Sequence, residues 1–90
     1  MKLSILVLLV DDEPIILKTF FGFLNGKYDV AAVNSARDAF AYMKNTIPDL
    51  ILLDYRMPNM TGGEMLEIMR TMPELASIPV YFVTSVVDKS

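Results

Sequence analysis

The stretch DLILLDYRMPNMTGG, residues 49–63, runs four apolar residues straight into a carboxylate, Asp54. A basic residue, a proline and paired glycines follow. A short, wholly apolar run of this kind reads as a strand covered on both faces. Asp54 then lies at the strand's carboxyl end, where open parallel sheets bind their ligands.

Three further apolar runs flank this one. ILVLLV (5–10) stops at Asp11, Asp12, Glu13 and Pro14. YDVAAV (28–33) follows an Asn-Gly-Lys turn, and VYFV (80–83) follows Pro79 and leads into Thr84 and Ser85. Between the runs lie segments with helical spacing. Ile16, Phe20, Phe23 and Leu24 form one apolar stripe, and Ala36, Ala39, Phe40 and Met43 a second. Met65, Leu66, Met69 and Met72 form a third. Asp12 is read as the cap of the first helix, with Pro14 in its first turn. Ser35 opens the second helix, with Asp38 in the first turn, and Thr61 with Glu64 approaches a capping box for the third. Pro48 and Pro73 stop the second and third helices.

The predicted elements are strands over 4–10, 28–33, 50–54 and 79–83, with helices over 14–25, 36–46 and 62–72. Strict alternation of strand and helix with short connections implies a doubly wound parallel sheet with right-handed crossovers.

The bulk numbers agree with one small α/β domain over residues 1–90. Hydrophobic residues make up 53% of the chain, more than a small soluble domain ordinarily carries. Seven methionines sit at stripe positions or in the loop after Asp54, where core filling is the expected use. The chain has no cysteine and no histidine, which excludes disulfides, zinc sites and histidine catalysis. A net charge of −3 with scattered basic residues argues against nucleic-acid binding. The N-terminal apolar run is too short for a membrane span and ends in acids rather than a cleavage site. A cytoplasmic location is expected.

If the strands are parallel neighbours, Asp11, Asp12, Asp54 and the Thr84-Ser85 hydroxyls meet at one sheet edge. Each has an ordinary reading alone: a helix start, a turn residue, an N-cap. Arg56 alone is an ordinary solvated charge. Their convergence favours a site. Three close carboxylates repel, at roughly 3 kcal/mol per pair at ~5 Å and an effective dielectric of ~20. A proton or a cation relieves this, and an all-oxygen acidic set suits Mg2+.

These residues resemble a response-regulator receiver domain, the phosphoacceptor of two-component signalling. VLLVDDEP is similar to that family's acidic pair after the first strand. LILLDYRMPNMTGGEML resembles its phosphorylation segment, and IPVYFVTS its fourth strand with a switch hydroxyl. The resemblance implies a flavodoxin-like fold with strand order 2-1-3-4 in this chain, lacking the family's final strand and last helices. It implies Asp54 as phosphoacceptor from a sensor histidine kinase or phosphotransfer protein. It implies Mg2+ held by Asp11, Asp12, Asp54 and the backbone carbonyl of Arg56. Thr84 would hydrogen-bond the phosphoryl group and switch the domain. Such a protein is not a conventional turnover enzyme.

The family's final strand ends in a lysine that pairs with the phosphoryl group. Lys89, five residues after Thr84 with no strand between, does not match that position. The expectations are weakened phosphorylation with Mg2+ binding retained, and self-association through the exposed edge of the fourth strand. The competing reading is a degenerate receiver that serves as an interaction module. A phosphohydrolase with an Asp nucleophile ranks lower, because such enzymes place an acid where this chain has Arg56.

Overall fold

The computed structural model describes residues 4–83. Its elements are β1 (Leu6–Val10), α1 (Pro14–Leu24), β2 (Asp29–Val33), α2 (Ala36–Met43), β3 (Leu50–Asp54), α3 (Gly62–Arg70) and β4 (Val80–Val83). The strands form one parallel sheet, as expected from the alternating pattern, in the order β2-β1-β3-β4 that the family resemblance implies.

α2 ends at Met43 and α3 at Arg70, short of the predicted 46 and 72. After α2, Asn45 and Thr46 both donate to the Tyr42 carbonyl, so the chain leaves the helix as a turn before Pro48. After α3, the Thr71, Met72 and Leu75 amides bond carbonyls three residues back. These tighter turns satisfy the helix-end carbonyls and carry Met72 onto the core. The loop after α3 is held by Arg70, whose guanidinium donates to the carbonyls of Ala76 and Ile78.

The helix starts explain the directions of the chain. Ser35 Oγ accepts from the Asp38 amide at 3.1 Å. Thr61 and Glu64 form a complete capping box, each side chain accepting from the other's backbone amide. The expected cap at Asp12 is not made. Pro14 is the first helical residue, so the cap position falls on Glu13, which makes no side-chain cap bond. Asp12 precedes the cap position, and its carboxylate joins the acids at the sheet edge.

The main core fills one side of the sheet. Leu8, Val10, Ile51 and Leu53 pack against Ala36, Ala39 and Met43 of α2 and Met65 and Met69 of α3. Methionine supplies much of this packing, and its unbranched side chain adapts to gaps between helices. Alternate residues Val7 and Leu9 are buried on the other side, near α1. None of α1 is fully buried, although Ile16, Leu17 and Phe20 line a small cavity with Leu9 and Leu52. Phe23, expected in the stripe, is 71% exposed. Residues 16, 17, 20 and 24 are the shielded ones, and Phe23 sits at the edge of their arc in the last turn of α1. No helix among the described residues is long and apolar enough to cross a membrane.

Candidate functional site

The register of the sheet assembles the acids. Val10 pairs with Leu53, so Asp11 and Asp54 follow on adjacent strands at the same level. Val83 pairs with Asp54 on the other side. The Asp11 amide donates to the Val33 carbonyl at 3.2 Å, which ties this level to β2 as well. A one-residue slip would turn each carboxylate to the other face, so the apolar pattern of the strands fixes the chemistry.

Both strand ends turn in the same way. Asp11 Oδ1 accepts from the Glu13 amide at 2.9 Å, and Asp54 Oδ1 accepts from the Arg56 amide at 3.2 Å. Each aspartate thus folds the chain over its own carboxylate two residues on. The first turn swings Asp12 into the site, and the second brings the Arg56 backbone beside Asp54. The Arg56 side chain itself is exposed.

Asp11, Asp12 and Asp54 each offer an oxygen, and these atoms lie within 4.8 Å of one another. Asp11 and Asp54 are buried, at 4% and 3% exposure, and Asp12 is half-buried. At such a spacing the carboxylates repel by roughly 3 kcal/mol per pair at an effective dielectric of ~20. The donor set is all oxygen, with no nitrogen or sulfur ligand, which fits a hard divalent cation. Three of the residues expected at the site therefore come together, and Arg56 stands next to them. Thr84 lies outside the described residues, as does Lys89.

The loop after Asp54 is built for close approach. Asn59 takes a left-handed conformation (φ 71°), which asparagine tolerates. The Gly62 amide donates to the Tyr55 carbonyl at 2.8 Å and closes the loop. The Tyr55 ring leans on Gly63 and meets Phe82 of β4 edge to face, with centroids 5.3 Å apart. Sequence reading does not find these contacts. The paired glycines signal a tight turn, but not which backbone they meet.

A family model described as the response regulator receiver domain matches residues 7–90. A response regulator of Synechocystis sp. is 34% identical over 81 residues, covering 88% of this chain and 35% of that protein. A two-component response regulator of Oryza sativa subsp. japonica is 36% identical over 90 residues, covering 88% of this chain and 39% of that protein. The chain thus spans less than half the length of these two relatives. Among solved structures, the N-terminal domain of a response regulator receiver protein from Methanoculleus marisnigri superposes with a TM-score of 0.83 at 36% identity. It covers 90% of this chain, and this chain covers 66% of it. The receiver domain of a signal transduction histidine kinase from Syntrophus aciditrophicus gives 0.85 at 30% identity, covering 96% and 66%.

Proposed function

The chain belongs to the response regulator receiver domain family, and from that premise we propose that it accepts a phosphoryl group on Asp54 in a Mg2+-dependent reaction. The observation that carries this reading is the meeting of the Asp11, Asp12 and Asp54 oxygens within 4.8 Å at the carboxyl edge of the sheet.

Asp11, Asp12, Asp54 and the Arg56 backbone carbonyl would hold the ion. When bound, Mg2+ would neutralise the carboxylates and the charge on phosphate oxygens. The chain's own contribution is positional. An Asp54 oxygen attacks phosphorus as the bond to the donor's nitrogen breaks, and that nitrogen keeps the electron pair. The product is a mixed anhydride on Asp54, and water attack later returns the carboxylate and inorganic phosphate. A carboxylate is a weak nucleophile, so a fixed strand end that orients it supplies much of the help. Thr84 would report the phosphoryl group by hydrogen bonding to it, and a two-state segment would respond.

The partner is a sensor histidine kinase or phosphotransfer protein, and the domain acts as a stoichiometric acceptor in the cytoplasm rather than as a turnover enzyme. The exposed Tyr81 and Phe82 on β4 (62% and 41%) support self-association through that strand. Light scattering that shows only monomer at micromolar concentration would remove that part. The test of the main reading is incubation with Mg2+ and a small phosphodonor, followed by intact mass measurement. One phosphoryl adduct is expected, absent with a chelator; no adduct under saturating donor and Mg2+ would refute the reading and favour a pure interaction module.

A further inference from the structure

Gly62 stands against the backbone of the site. A Cβ built on it would overlap the carbonyl oxygen of Asp54, and would lie 3.0 Å from Tyr55 Cα and 3.1 Å from the Asp54 carbonyl carbon. All of these are main-chain atoms that cannot step aside as a side chain does. The same residue closes the loop, through its amide bond to the Tyr55 carbonyl. Gly63 offers a built-in contrast. The nearest atoms its Cβ would meet belong to the Tyr55 ring, at 3.1 Å from Cε2 and from the hydroxyl. That ring is half in solvent and has room to move.

We propose that Gly62 is a positioning residue for the metal site: by lacking a side chain it lets the first turn of α3 press on the Asp54–Tyr55 main chain and hold the segment carrying Arg56 in place. The proposal rests on the Mg2+-binding reading above. Any side chain at 62 pushes the Asp54–Tyr55 peptide away from α3. That shift disturbs the Arg56 amide bond to Asp54 Oδ1, and with it the carbonyl that follows on the same residue. Gly63 carries no such constraint, although it is the neighbouring glycine on the same helix.

The test is Mg2+ titration by calorimetry of the wild type, Gly62→Ala, Gly63→Ala and Thr61→Ala. Thr61→Ala removes the cap of α3 and weakens the same helix start, but adds no atom near Asp54. Gly62→Ala is expected to bind Mg2+ about tenfold more weakly or worse, the usual scale for losing an outer support of a metal site, with Gly63→Ala and Thr61→Ala within about twofold of wild type. Equal binding by Gly62→Ala, or an equal loss in Thr61→Ala, overturns the proposal. If Gly62→Ala does not fold, amide exchange on the wild-type protein decides. Because coupling is reciprocal, Mg2+ must slow exchange of the Gly62 amide more than that of Gly63. An unchanged Gly62 amide overturns the proposal. A wild-type protein that binds no Mg2+ overturns the site reading and this proposal together, whereas normal wild-type binding with an unaffected Gly62→Ala overturns this proposal alone.

Discussion

Asp11 and Asp54 end adjacent parallel strands at one level, a single residue beyond the Val10–Leu53 pair, and both are almost wholly buried. With Asp12 they bring three carboxylate oxygens within 4.8 Å of one another, where like charges repel.

Mg2+ is therefore expected to stabilise the fold. At about a hundred times its dissociation constant, a ligand that binds only the native state adds about 2.7 kcal/mol. For a domain of this size that raises the thermal midpoint by on the order of 10 °C. Calorimetric melting with and without Mg2+, reversed by a chelator, checks it; no shift in saturating Mg2+ contradicts it.

Removing one of the charges should separate stability from function. Asp12→Asn is expected to raise metal-free stability by about 1 kcal/mol, since Asp12 is half-buried and its repulsion partly screened. The same change should shrink the Mg2+-dependent shift. Urea unfolding of both proteins, with and without Mg2+, reads both effects.

Leu53 sits at 0% exposure directly before Asp54, among Leu8, Val10 and the methionines of α3. Leu53→Ala should cost about 2–5 kcal/mol, the range for emptying a packed core site. Because that is a large part of a small domain's total stability, the variant should be partly unfolded without Mg2+ and recover with it. Circular dichroism across a Mg2+ titration measures this.

Ser35 caps α2, so Ser35→Ala should cost about 1 kcal/mol in urea unfolding. A loss below about 0.3 kcal/mol would mean that the Asp38 amide finds water equally well.

Much of this fold is legible in the chain because each signal is local. Apolar runs mark the strands, and Ser35, Thr61 and Glu64 announce two helix starts with the bonds they make. The acid cluster follows once the strands are taken as parallel neighbours, since register then places Asp11 beside Asp54. The misreadings arise where competing local roles share a residue. Asp12 suits a helix cap by type, but Pro14 shifts the cap to Glu13. Phe23 suits an apolar stripe by type and spacing, yet it sits at the edge of the inward arc in the last turn of α1 and stays exposed. The packing of Gly62 on Asp54 is hidden because it depends on where a helix lands against a strand eight positions away in the chain.

The most direct test of the central claim is to locate the phosphoryl group. The protein is phosphorylated with a small donor and Mg2+, reduced with borohydride, and mapped by peptide mass spectrometry. Borohydride converts an aspartyl phosphate to homoserine and leaves phosphoserine and phosphothreonine intact. The account predicts homoserine at position 54 and at no other aspartate. Homoserine at Asp11 or Asp12, or a stable phosphate on a hydroxyl with Asp54 unmodified, would contradict it.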